Sequence, residues 1–205
     1  MNQDMKEILI QSVINTWQIE SLSIAALIDD TDMEAVLKAV EALGNMKGKA
    51  IVSGCGTSGA AAKKIAHSLC CVERPASFLS PADAVHGALG MLQKDDILIL
   101  ITKGGNTQEI INMIPACKEK GALLIGVTEN ADSVLGRNTD LLLKVKVAKE
   151  PCPFNMLATA STLAVISLFD AICIALMHYT SYTREQFALI HPGGAVGERL
   201  LEKHK

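Results

Sequence analysis

Apolar and polar positions along the chain fall into two regimes. Over the first 45 residues, Leu9, Val13, Ile14, Trp17, Leu22, Ala25 and Leu27 recur at roughly helical spacing. Asp32 is placed to cap a second helix whose buried face would carry Val36, Leu37, Val40 and Leu43, with Gly44 near its end. From residue 50 the pattern becomes short apolar runs, each ending in small or polar residues and followed by a helical stretch. The runs are 50–53 (AIVS), 77–79 (SFL), 97–101 (ILILI), 123–127 (LLIGV) and 141–145 (LLLKV). Helices are predicted after them up to residue 71, from Pro81, over 108–120, over 157–179, over 184–190 and over 195–203. Strands alternating with helices, and apolar on both faces, predict an α/β fold: a three-layer αβα sandwich around a five-stranded parallel sheet.

Composition narrows this picture. The 205 residues carry 49% hydrophobic and 20% charged side chains. Mean hydropathy is +0.29, a makeup that excludes disorder. One domain spanning 1–205 is expected, with helices over 1–45 as an oligomer contact and a ligand-binding core over 46–205. A net charge of −3 and 3% aromatics argue against a nucleic-acid partner. The N-terminal stretch contains Asp4, Lys6, Glu7, Glu20, Asp29 and Asp30, so no signal-peptide core is visible. The most apolar stretch, 157–179, is interrupted by Asp170 and reads as a buried helix rather than a membrane span. Six cysteines without CxxC spacing read as reduced thiols of a cytoplasmic protein.

In parallel sheets ligands bind beyond the carboxyl ends of the strands. Two loops sit there. The first is Gly54-Cys55-Gly56-Thr57-Ser58-Gly59, with Ser53 at its entrance; the second is Thr102-Lys103-Gly104-Gly105-Asn106-Thr107. Both offer small residues and hydroxyls at a helix start, where free N–H groups and the helix dipole favour an anion. A phosphate monoester suits two such loops converging. A Gly-rich turn can also serve packing alone. Dinucleotide binding is a rival, because the first loop reads GxGxxG, but Glu73 stands before Arg74-Pro75 and not at a strand end. No GK[ST] of a Walker A loop occurs.

These loops, together with residues 81–91 (PADAVHGALGM), 102–109 (TKGGNTQE), 147–153 (VAKEPCP) and 187–200 (FALIHPGGAVGERL), resemble the sugar isomerase (SIS) domain family. More narrowly, they resemble the catalytic domain of bacterial arabinose 5-phosphate isomerases. The resemblance implies a five-stranded parallel sheet, a phosphosugar ligand, no cofactor or metal, and a homodimer or homotetramer with a site shared between subunits. Full-length members often carry a C-terminal pair of CBS domains, and no such pair is expected within these residues. Thr57 stands where the isomerases have Lys, and Asn106 where they have Glu. Gly104 replaces the usual phosphate-binding Ser, Ala88 replaces an acidic residue, and Lys103 is a cation that the usual loop lacks.

The implied chemistry is aldose–ketose isomerisation through an enediol, which needs an acid/base group and something that polarises a carbonyl. His191 and Glu150 are the candidate proton carriers, because imidazole and a tuned carboxylate suit that task. His86 is the candidate for ring opening or substrate orientation. Ser53, Gly54, Thr57, Ser58, Thr102, Lys103, Asn106 and Thr107 are the candidate phosphate-binding residues, with Lys103 supplying charge that Thr57 cannot. His67 and His178 lie on predicted helices and read as structural. A non-catalytic phosphosugar sensor is the alternative. A DNA-binding regulator is disfavoured, because 45 acidic-leaning helical residues leave no basic helix-turn-helix.

Overall fold

The computed structural model describes residues 1–193; the predicted helix over 195–203 and His204 lie outside the described residues. Five strands form one parallel sheet: β1 (Ala50–Gly54), β2 (Ala76–Phe78), β3 (Ile97–Ile101), β4 (Leu123–Thr128) and β5 (Leu141–Lys144). Their order is β2-β1-β3-β4-β5, so the chain reverses its direction of travel between β1 and β3. In register, Gly54 lies beside Ile101 and Ile101 beside Val127. The loops after β1, β3 and β4 therefore emerge side by side, at the switch point where α/β sheets bind ligands.

Strand β3 shows why the sheet forms. Its five residues are buried on both faces. Ile97, Ile99 and Ile101 join the core under one helical layer, and Leu98 and Leu100 join the core under the other. The first layer holds α3 (Met33–Asn45), α4 (Gly56–Cys70) and α9 (Ala160–Tyr179), with Leu43, Ile65, Leu69, Phe169 and Ile172 at its centre. The second holds the short helices α5 (Pro81–Ala84), α6 (Gln108–Ile111), α7 (Ile114–Lys120) and α8 (Val134–Asn138), with Ile110, Met113 and Leu124 packed between them.

Several elements differ from those expected. The continuous helix expected over 108–120 is two helices, α6 and α7. Pro115 stands at the start of α7, where it cannot supply the N–H that a continuous helix requires. The long apolar helix starts at Ala160 rather than 157. On α3 the inward face is Ala35, Ala39, Val40 and Leu43, and Leu37 is 67% exposed. Asp32 caps this helix as expected, its carboxylate accepting from Ala35 N. Among the described residues, only α9 is long and apolar enough to cross a membrane. Its Ala164, Leu168, Phe169, Ile172 and Leu176 are instead buried in the core.

The N-terminal helices are α1 (Gln3–Ala25) and α2 (Leu27–Asp30). Only Ile19 and Ser23 of α1 are buried, and Trp17 is 66% exposed, with Leu9, Val13 and Leu22 also open. The apolar period read along this helix thus faces outward from the chain, not into its core.

At the amino ends of the strands, Asp96 ties β1 to β3. It is 3% exposed. Its carboxylate accepts from Lys49 N at 2.8 Å, Lys49 Nζ at 2.7 Å and Gln93 N at 2.8 Å. Burial pushes its pKa up, but the bonds from the Lys49 side chain and the Lys49 and Gln93 backbone outweigh that and hold it below the ordinary value. A depressed folded pKa means that the stabilisation is present above the unfolded pKa and is lost as pH falls through the folded one. Asp96→Asn is expected to lower stability at pH 7 by about 1–3 kcal/mol, the scale for leaving buried donors poorly matched. The deficit should shrink as the pH is lowered toward the folded pKa, where the wild-type carboxylate protonates. Urea unfolding at neutral and acidic pH measures both effects, and a deficit that does not change with pH would show that the carboxylate's charge is irrelevant.

Candidate functional site

The first loop leaves β1 at Gly54 and turns directly into α4. A Cβ on Gly54 would stand 2.7 Å from the backbone of Ser58, and one on Gly59 would stand 2.6 Å from the Gly54 carbonyl oxygen. The loop can close this tightly only with glycine at both places. Cys55 occupies the cap position of α4 without a side-chain capping bond. The first-turn N–H groups at Thr57 and Ser58 are therefore presented at the sheet's carboxyl edge. Thr57 is exposed and Ser58 half-buried. Ser53 is not turned toward a ligand: it is fully buried and its hydroxyl donates to the Leu79 carbonyl at 2.7 Å.

The second loop continues the ladder one step past β3, with Thr102 N donating to Val127 O at 3.1 Å. Thr102 and Thr107 join hydroxyl to hydroxyl at 2.7 Å. Gly105 adopts φ +74° beneath α8, and a Cβ there would lie 1.9 Å from Ser133 Oγ. Asn106 accepts from Val134 N at 2.9 Å through its side-chain oxygen, so it satisfies the start of α8 and pins the loop. Gly104 is exposed.

Lys103 and Glu150 form an ion pair, Nζ to Oε1, at 2.8 Å. The Glu150 side chain has 0% exposure, whereas that of Lys103 has 40%. The other carboxylate oxygen accepts from Thr159 N at 3.1 Å and Ser161 N at 3.4 Å, at the start of α9. The Glu150 N–H is held by Asn155 Oδ1 at 2.6 Å. Burial pushes the Glu150 pKa up, but bonds from Lys103, Ser161 and Thr159 overcome this and hold it below the ordinary carboxylate value. Cys152, two residues on, accepts from Met156 N and Leu157 N at its sulfur, and these N–H groups lower the thiol's pKa.

Lys103 and Ser58 line one small cavity of about 40 Å³ together with Thr128, Ala158, Ser161 and Thr162. The start of α9 was not among the segments expected to build the site. Its signal was present: Thr159, Ser161 and Thr162 are hydroxyl residues at the head of an apolar helix.

The two histidines do not join this cluster within the chain. His86 is exposed in the turn after α5, its N–H donating to Asp83 O. His191 ends α10 (Arg184–Ile190). Its ring stacks on Phe187 at 4.0 Å, and its Nδ1 lies 2.9 Å from the Phe187 carbonyl oxygen. The helix itself is moored to the far end of α4, through Tyr182 Oη donating to Cys71 O and Gln186 Nε2 donating to Glu73. The 15 residues of α4 separate that end from the first loop by about 22 Å. Among the described residues no group of three His, Cys, Asp or Glu side chains converges as a metal site.

Comparison with known proteins agrees with this geometry. The family profile of the SIS domain matches residues 45–175. Arabinose 5-phosphate isomerase KpsF of Escherichia coli O6:H1 is 37% identical over 195 residues, 95% of this chain and 60% of the relative. The chain thus spans about 60% of the length of that curated relative. A crystal structure from Listeria monocytogenes, described as a candidate sugar-phosphate isomerase, is 57% identical with a TM-score of 0.91, covering 94% of this chain and all of the other. The E. coli CFT073 protein c3406, solved in complex with arabinose 5-phosphate, is 31% identical with a TM-score of 0.87, again covering 94% of this chain and all of the other. An all-parallel five-stranded sheet, two glycine-rich loops at its switch point and these matches lead to one assignment: the chain belongs to the SIS domain family.

Proposed function

We propose that this chain is a phosphosugar aldose–ketose isomerase acting on a pentose 5-phosphate of the arabinose type. One observation carries the reading: Ser58, in the uncapped first turn of α4, and Lys103, whose ammonium is paired with the fully buried Glu150 carboxylate, line one small cavity. The first suits a phosphate; the second is a charged pair suited to a carbonyl and its neighbouring hydroxyl. The similarity to the arabinose 5-phosphate isomerase KpsF and to c3406, solved with arabinose 5-phosphate, supports the substrate class.

In this reading Thr57, Ser58, Thr102 and Thr107 surround the phosphate, and His191 carries the proton between the two carbons. His86 assists ring opening. Neither histidine touches the Lys103–Glu150 cluster of its own chain, so the complete site needs a second copy. The outward apolar face of α1, with Leu9, Val13 and Trp17, is the surface on which copies would assemble. We place the protein in the cytoplasm, where its six free cysteines stay reduced.

The rival is a non-catalytic phosphosugar sensor, favoured by Thr57 and by Asn106, whose side chain is engaged with α8. The two are separated by following D-arabinose 5-phosphate first by thermal shift and then by conversion to its ketose. Binding raises Tm in either case by mass action. Turnover supports the isomerase, and tight binding with no conversion overturns it.

A further inference from the structure

We infer that Lys103 is the electrophile of this site, the group that polarises the sugar carbonyl, and that Glu150 is a positioning residue that holds it there. The inference rests on the isomerase reading above and deepens it.

Lys103 turns away from the Thr102–Thr107 hydroxyl pair assigned to the phosphate. It opens the turn that Gly105 N closes on the Thr102 carbonyl. Thr102 turns to Thr107, within the second loop. Lys103, the next residue, turns to Glu150 instead. Glu150 is in turn firmly anchored. Its carboxylate is fully buried, its second oxygen is fixed by two N–H groups at the head of the 20-residue helix α9, and its own N–H is fixed by Asn155. A carboxylate held by two N–H groups, on a backbone that Asn155 pins, fixes the ammonium bound to it.

The ammonium also has donors to spare. It carries three N–H groups. Among the described residues Lys103 Nζ gives one of them to Glu150 and has no other partner. The remaining donors lie on a side chain 40% exposed, next to a cavity that accommodates an oxygen-sized group and not a whole sugar. Charge points the same way. Because Lys103 and Glu150 nearly cancel, the pair attracts a distant phosphate weakly, yet its free N–H groups act strongly on an oxygen in contact. Such fixed donors are most useful where charge develops in the transition state.

The step balances without a co-reactant. The base, assigned above to His191, takes the C2 proton, and the C2–H electron pair becomes the C1=C2 π bond. The carbonyl π pair moves onto O1, which accepts a hydrogen bond from Lys103. The proton returns to C1, the O2 hydroxyl proton passes to O1, and the C2 carbonyl forms. Lys103 remains an ammonium throughout. Glu150 remains a carboxylate, consistent with the bonds that favour its ionised form.

The test compares Lys103→Met, Glu150→Gln and the double variant. It measures kcat on D-arabinose 5-phosphate and the affinity for D-arabinitol 5-phosphate, which has the phosphate but no carbonyl. Lys103→Met is expected to lower kcat about 10²- to 10³-fold, the loss seen for one oxyanion donor, with the affinity for the alditol changed less than about threefold. Glu150→Gln is expected to lower kcat by a smaller factor, and the double variant to be no slower than Lys103→Met alone, because one residue acts through the other. The double variant also removes the unpaired buried charge that Lys103→Met leaves behind, so folding and function are read separately. Roughly tenfold weaker alditol binding with kcat retained would make Lys103 a phosphate ligand and overturn the inference while leaving the isomerase intact. Losses that multiply in the double variant would make Glu150 an independent proton carrier and overturn its positioning role. No turnover by the wild type would overturn the function and the inference together.

Discussion

His191→Ala is expected to lower kcat on the phosphosugar substrate about 100-fold or more, the scale of lost general acid–base catalysis, while leaving binding of D-arabinitol 5-phosphate nearly unchanged. The placement of the ring leads to a second, sharper expectation. The His191 ring lies on Phe187, and its helix is moored to Cys71 and Glu73 at the end of α4 remote from Thr57. If His191 works on a neighbour's ligand, then two inactive variants can complement each other. Mixed oligomers of His191→Ala with Lys103→Met would contain sites with both residues intact, and activity should return on co-expression. Absence of recovery, with mixed oligomers demonstrated by mass, would confine His191 to its own chain. Unchanged kcat in His191→Ala would remove it from the mechanism.

Gly54→Ala is expected to be the most damaging single methyl group in the first loop. The added Cβ would lie 2.7 Å from both the carbonyl carbon and oxygen of Ser58 and 3.0 Å from Gly59 N. These are backbone atoms at the start of a 15-residue helix, so no flexible side chain can yield. The destabilisation should reach the upper part of the ~1–3 kcal/mol range for overpacking, and phosphosugar affinity should fall with it, because the displaced turn carries the N–H groups of Thr57 and Ser58. Gly56→Ala is the internal control. Gly56 has φ +56° but open space around its Cβ position, so only conformational strain of about 1–2 kcal/mol applies. Equal Tm losses in the two variants would show that the close approach at Gly54 has no special weight.

The sheet was legible because buried parallel strands write themselves as unbroken apolar runs. Ile97 to Ile101 appears in the sequence as it appears in the fold, both ends included. Loop positions followed from the same pattern. What each loop residue does was less legible, because a hydroxyl or amide at a strand end can face a ligand or its own backbone. Ser53 and Asn106 turned to Leu79 and Val134. Nothing local in the sequence encodes those choices, which depend on segments 26 and 28 residues away. The Lys103–Glu150 pair spans 47 residues and was invisible for the same reason, although each member was singled out separately. Leu37 and the face of α1 misled in a different way, since periodicity marks an apolar face without saying whether its cover is this chain or another.

The second loop has a thermodynamic corollary. Thr128 donates to the Lys103 carbonyl, Glu129 N reaches the same oxygen, Leu135 N reaches Gly105, and Val134 N reaches Asn106. Folding of the β4–α8 connection therefore fixes the 102–107 backbone before any ligand arrives. The entropy of ordering that half of the cradle is charged to folding and not to association. Affinity then depends on how well the phosphosugar's oxygens match donors already in place, so discrimination among sugars is a matter of stereochemical fit.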